Sequence, residues 1–171
     1  MPQIDIQQVD ITQLDVDAIV NAANANLTDG AGVCGAIHSA AGPELLTECQ
    51  TLGGCETGEA KMTAGYKLPA RHVIHAVGPV WQGGNANEAE LLASCYRNSI
   101  LLAEQHGLKS IAFPAISCGI YGYPIAQAAV IAIESSLQTL HQCESVELVI
   151  FACFSDEIEA ELIHVASHHA L

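Results

Sequence analysis

The sequence predicts an α/β fold with helices on both faces of a largely parallel sheet. Strand-like and helix-like segments alternate along most of the chain. Two apolar segments run into glycine-rich loops that lead into helices, at residues 17–41 and 109–137. Half of the 171 residues are apolar and only 5% are aromatic, which suits an aliphatic core under packed layers. No linker, low-complexity tract or internal repeat interrupts the chain, so residues 1–171 read as one domain.

The elements follow in order. Residues 3–9 (QIDIQQV) alternate as a strand, and Asp10 to Asp15 reads as a turn or short helical piece. Residues 17–23 are apolar with little alternation, as in a strand buried on both faces. Val33–Ala41 and Pro43–Leu52 read as helices, with Pro43 suited to a first helical position. Residues 59–65 and 71–77 (RHVIHAV) read as strands. Glu88–Gln105 is a helix with Leu91, Cys95, Ser99 and Leu102 on one stripe, stopped by Gly107. Residues 109–113 (KSIAF) form a strand. Pro124 opens a helix that carries Ile125, Ala129, Ile133 and Leu137 on one face. A strand at 146–152 (VELVIFA) and a helix from Asp156 to about His168 complete the chain.

Composition excludes several functions. A net charge of −14 and five basic residues do not suit a protein that grips a nucleic-acid backbone. No run of about 20 apolar residues provides a membrane span. MPQIDIQQVD has neither a basic region nor an apolar core of the kind a secretory signal needs, so the cytoplasm is the expected compartment. The seven cysteines include no CxxC pair and no zinc-ligand spacing with histidine. They read as reduced thiols, with no metal site. His164, His168 and His169 have a ligand-like spacing, but a solvated terminal helix is the better reading. His72, His75, His106 and His141 read as packed or surface residues, and Gln82–Asn87 as a surface loop.

The two glycine-rich loops carry the chemistry. In VNAANANLTDGAGVCGAIHSAAG, residues 20–42, an apolar strand ends at Asn21 and Asn24, and a loop with Gly30, Gly32 and Gly35 leads into a helix with His38. In FPAISCGIYGYP, residues 113–124, a strand passes through Ser117, Gly119 and Gly122 into a helix. Glycines let the main chain approach a ligand, and the unpaired N–H groups of a helix start favour an anion. No basic residue lies in either loop, so phosphate would be held by backbone donors and dipoles. Both loops belong at the carboxyl edge of the sheet, where α/β folds bind ligands. There they would clamp a diphosphate from two sides, with Tyr121 over a ribose face. A P-loop lysine is absent. GAGVCG at 30–35 matches GxGxxG, but only Glu48 and Glu56 approximate the acidic residue that a dinucleotide fold needs about 20 residues on.

Four blocks resemble the macro domain family, in its MacroD-type branch of ADP-ribose-binding proteins and hydrolases. They are DITQLDVDAIVNAAN at 10–24, GVCGAIHSAAGPELL at 32–46, TGEAKMTAGYKLPARHVIHAVGP at 57–79 and AFPAISCGIYGYP at 112–124. The resemblance covers nearly the whole chain. It implies a three-layer α/β/α sandwich around a mixed sheet, with a cleft for ADP-ribose.

Carried over, the resemblance gives Asp10 the adenine amino group, with the Ile11 backbone beside it. Taken alone, Asp10 reads as a turn cap. Asn24 matches the asparagine that bonds the distal ribose, whereas Asn21 reads as structural, satisfying loop backbone. Gly32, Val33, Cys34 and Gly35, and Ser117, Cys118, Gly119, Ile120 and Tyr121, match the loops around the diphosphate. Phe154 lies where an aromatic often meets adenine, and a core Phe is the equal alternative. His38, four residues after Cys34, matches a histidine near the distal ribose.

Cys34 departs from the family pattern. MacroD-type hydrolases usually carry an aspartate there that orients or activates water. A thiol replaces it as a base only if ionised, which a helix N-terminus favours; a small buried Cys that fills space is the weightier reading. The resemblance implies a monomeric ADP-ribosyl hydrolase without cofactor. Its substrates would be proteins mono-ADP-ribosylated on Asp or Glu, or O-acetyl-ADP-ribose. The candidate catalytic residues are Asn24, His38 and Cys34. The alternative is a non-catalytic ADP-ribose reader.

Overall fold

A computed structural model describes residues 2–169. Its strands are β1 (Gln3–Gln8), β2 (Ala18–Ala22), β3 (Ala60–Ala64), β4 (His72–Ala76), β5 (Ser110–Phe113) and β6 (Leu148–Cys153). Its helices are α1 (Gly32–Ala41), α2 (Pro43–Thr51), α3 (Glu88–Gln105), α4 (Ile125–Leu140) and α5 (Asp156–Ser167), with a 3₁₀ turn at Ile11–Gln13. The strands form one sheet in the order β1-β6-β5-β2-β4-β3. All neighbours are parallel except β3, which returns antiparallel along β4 at the edge.

Alternation along the central strands builds the three layers. Ala18 and Val20 of β2 and Ile74 of β4 face a core formed with α3, α4 and α5. Ile19 of β2 and Val73 of β4 face the opposite core, formed with α1 and α2. Both sides are apolar, as parallel strands covered on two faces require. Aromatic packing concentrates on the first side, where Tyr96 meets Phe113 at 4.9 Å between ring centroids. Among the described residues, no helix is long and apolar enough to cross a membrane.

Local signals operate where expected. Pro43 sits in the first turn of α2. Gly107 takes a φ of +69° just beyond α3, a conformation that favours glycine at a helix end. The α3 stripe is corrected by one position. Leu92, Cys95, Tyr96, Ser99, Ile100 and Ala103 are buried, whereas Leu91 and Leu102 lie at the margin. A helix on a sheet buries a broad face, and Cys95 and Ser99 are the positions that the expected and observed stripes share.

Glu88 shows that 82–87 is more than a surface loop. Its buried carboxylate accepts N–H bonds from Gln82, Gly84 and Ala86 at 2.8, 3.0 and 2.6 Å. This holds the segment against the start of α3. Trp81, at the head of that segment, packs on Tyr123 at 4.7 Å and donates its N–H to Tyr121 O. The pinned loop therefore supports the second glycine-rich loop.

Candidate functional site

The carboxyl ends of β1, β2, β5 and β6 open into a cleft of about 820 Å³. Asp10 and Ile11 follow β1, Asn24 follows β2, and Phe154 follows β6. The first loop contributes Gly30, Gly32, Val33 and Cys34, and the second Ser117, Gly119, Ile120 and Tyr121. No lysine or arginine lines the cleft.

Backbone donors replace them. No side chain caps the N-terminus of α1, whose first turn opens on the cleft. In the second loop, among the described residues, no protein group accepts from the amides of Gly119, Ile120 and Tyr121. Residues of both sets line the same cleft, as an anion site built on main chain requires.

Steric fit fixes both loops. Ser117 is buried with a φ of +67°, and its hydroxyl donates to Pro79 O at 2.7 Å. A β-carbon on Gly78, which also lines the cleft, would overlap the Ser117 hydroxyl. The Ile116 N–H is held by the hydroxyl of buried Tyr96 at 3.2 Å. Gly78 and Tyr96 have no role that the sequence alone makes legible. Only the VGP of the third block marked the first, and nothing local marked the second.

The ends of the cleft differ. Asp10 Oδ1 accepts from the N–H and the hydroxyl of Thr12, at 3.0 and 2.7 Å, and caps the 3₁₀ turn. Among the described residues, Oδ2 has no protein donor, and the side chain is exposed. The cap reading and a free acceptor therefore coexist in one carboxylate. Phe154 is 67% exposed at the rim and is not a core residue. At the other end, Asn24 Oδ1 accepts from Thr28 N and Oγ1, and its Nδ2 donates to Thr28 O at 3.0 Å. One Nδ2 proton of Asn24 stays uncommitted.

Three expected contacts fall elsewhere. Gly35 lies behind the lining; a β-carbon there would overlap Gly30 O, so glycine lets α1 approach the loop. Cys118 points away from the cleft into the apolar core beside α4, where burial pushes its thiol up to about 11. His38 is buried and lies outside the cleft lining, because position 38 places its ring on the inner face of α1. Its ring centroid is 6.4 Å from that of His75, and neither ring nitrogen has a protein partner among the described residues. Burial lowers its pKa.

Cys34 lines the cleft but is 6% exposed, and burial is the main cause of its raised thiol pKa. Desolvation outweighs the lowering by the Asn21 amide and the Gly30 backbone, which disfavours the thiolate. Asn21 is structural, but it bonds side chains rather than loop backbone: His75 Nδ1 at 3.1 Å and Cys34 Sγ at 3.6 Å. At the far end of α5, His164 and His168 stack edge-on, and among the described residues no group of three or more His, Cys, Asp or Glu surrounds a metal position.

The fold is an α/β/α sandwich with a backbone-lined cleft at the carboxyl edge of its sheet. The macro domain model matches residues 20–132, and the chain belongs to the macro domain family. A macro domain-containing protein of Chlorobaculum tepidum is 64% identical over 149 residues, covering 87% of each chain. An O-acetyl-ADP-ribose deacetylase of Salmonella newport is 54% identical over 159 residues, covering 91% of this chain and 89% of the relative. Among solved structures, a mutant Oceanobacillus iheyensis macrodomain with ADPR superimposes with a TM-score of 0.95 at 41% identity, covering 99% of this chain and 94% of the other.

Proposed function

We propose that the chain binds ADP-ribose in this cleft and hydrolyses ADP-ribosyl esters, either on mono-ADP-ribosylated Asp or Glu or in O-acetyl-ADP-ribose. The carrying observation is the pair of loops with unpartnered amides that line one cleft with Asp10 and Asn24, where, among the described residues, no cationic side chain contributes. The diphosphate lies between the two loops. Asp10 Oδ2 accepts the adenine amino group beside Ile11 and Phe154, and the free Nδ2 proton of Asn24 meets the distal ribose. The named activity of the Salmonella relative and the ADPR of the Oceanobacillus structure support this assignment.

No ionised base stands at position 34, so the reaction relies on positioning and fixed dipoles. The loops bend the ligand until a phosphate oxygen approaches the anomeric carbon of the distal ribose. A water held by that phosphate and Asn24 bonds to the anomeric carbon. In the mono-ADP-ribosylated protein the bond from that carbon to the acceptor carboxylate oxygen breaks, the carboxylate leaves, and the water proton passes to solvent by way of the phosphate. In O-acetyl-ADP-ribose, whose ester lies on the same ribose, the water adds instead to the acetyl carbonyl carbon, the acyl–oxygen bond breaks, the ribose oxygen takes up the water proton, and acetic acid leaves.

The second reading, a non-catalytic reader, is favoured by one observation: the neutral thiol where relatives of the MacroD type place a carboxylate. Calorimetric titration with ADP-ribose tests the shared part. Binding that Asp10→Ala weakens supports it, and no heat of binding with the intact chain overturns it. Cys34→Asp divides the two readings: a large gain of ester hydrolysis from a zero baseline identifies the reader.

A further inference from the structure

Beneath the first loop, a run of buried polar side chains leads from the sheet to the cleft. Thr63 of β3 and His75 of β4 are hydrogen-bonded, with Thr63 Oγ1 2.9 Å from His75 Nε2. Asn21 of β2 is the register partner of His75 on the adjacent strand. All three are buried, and His75 is fully so.

The donor inventory orients this run. With Asn21 Nδ2 turned to the ring, His75 Nδ1 accepts from it and the ring proton resides on Nε2, while Asn21 Oδ1, also buried, has no protein partner among the described residues. Nε2 then donates to Thr63 Oγ1, whose hydroxyl donates to Ala64 O at 3.2 Å. The second Nδ2 proton of Asn21 goes to Cys34 Sγ, and the thiol donates onward to Thr28 O. Thr28 O also accepts from Asn24 Nδ2, and the Thr28 N–H returns to Asn24 Oδ1. The run ends at the cleft asparagine.

We infer that His75 is a positioning residue for Asn24, acting through Asn21, Cys34 and the Thr28 peptide to hold the ribose-side loop in its binding geometry. Cys34 is then a strut between α1 and the loop. A hydroxyl at position 34 can make the same two bonds, and a methyl group can make neither. This rests on the proposed role of Asn24 as a ribose contact.

The test uses the full chain with Cys34→Ala, Cys34→Ser, His75→Gln and the double variant Cys34→Ala with His75→Gln. Amide exchange at Thr28 reads the strut without ligand, and ADP-ribose titration reads its effect on the cleft. Cys34→Ala is expected to speed Thr28 exchange about tenfold or more, with amides of α4 unchanged, while Cys34→Ser stays near the parent. For ADP-ribose, the double variant is expected to bind no more weakly than the weaker single one, because both cut one connection. Unchanged Thr28 exchange in folded Cys34→Ala, or additive losses in the double variant, overturns the inference. If His75→Gln does not fold, the alanine–serine contrast at position 34 and the imidazole nitrogen shifts of the parent decide it; a proton found on Nδ1 overturns it. Failure of the parent to bind ADP-ribose overturns the proposed ligand and leaves the exchange test standing.

Discussion

Gly78 and Ser117 touch across the floor of the cleft so closely that a β-carbon at 78 would overlap the Ser117 hydroxyl and approach Ile116 Cγ2 to 2.6 Å. Ser117 is itself in the left-handed region at φ +67° and is held there by Pro79 O. Such strain persists where surrounding contacts over-determine it. Gly78→Ala is therefore expected to push the second loop outward. The expected cost is about 1–3 kcal/mol in stability, together with at least about tenfold weaker ADP-ribose binding, or about 1.4 kcal/mol. Thermal unfolding and calorimetric titration check both, and unchanged affinity would place the loop elsewhere.

The same loop hangs from α3 by the Tyr96 hydroxyl, which accepts the Ile116 N–H. Tyr96→Phe keeps the ring packing with Phe113 and removes the acceptor. A buried N–H left alone costs about 1–3 kcal/mol. Denaturant unfolding is expected to show a lower midpoint with an unchanged slope.

Two buried groups contribute to the acid limb of stability. Burial, with His38 nearby, pushes His75 down to about 4. The unfolded histidine binds a proton that the folded one refuses, so stability is lost as pH falls from about 6.5 toward 4, by ~3 kcal/mol at most. The Gln82 N–H, aided by those of Gly84 and Ala86 against the effect of burial, holds Glu88 at about 2. Its contribution is present above the ordinary carboxylate range and is lost as pH falls from about 4.5 toward 2. Unfolding measured from pH 8 to 2.5 is expected to decline in both windows. Glu88→Gln should flatten the lower one.

Burial makes Cys34 a poor nucleophile as well as a poor base. Alkylation of Cys34 by iodoacetamide at pH 7.5 is expected to run more slowly than that of a free thiol, and more slowly still with ADP-ribose bound. Peptide mass spectrometry over a time course reads both rates. Faster labelling than a free thiol would restore the thiolate as a candidate base.

Much of this was legible in the residues. Periodicity located the strands and helices because each buries a definite face, and Pro43 and Gly107 marked ends through backbone constraints that are local. The loops were readable for the same reason: strand, glycine turn and helix start occur within one short segment. Sheet order and the antiparallel return of β3 were not, because strand neighbours are chosen by packing between distant segments. His75 read as a bland packed residue, since its importance depends on Asn21 and Thr63 from two other strands. Position 38 alone could not show which face of α1 would turn toward the cleft, and Cys118 was misplaced because its loop folds that side chain into the core. Gly78 matters only through Ser117, 39 positions away in sequence.

The most direct measurement is release of ADP-ribose from a protein mono-ADP-ribosylated on glutamate, with purified chain against a no-enzyme control. Multiple turnovers are expected, with Asn24→Ala sharply slower. Stoichiometric binding of ADP-ribose with no release above the control would contradict hydrolysis and leave a reader.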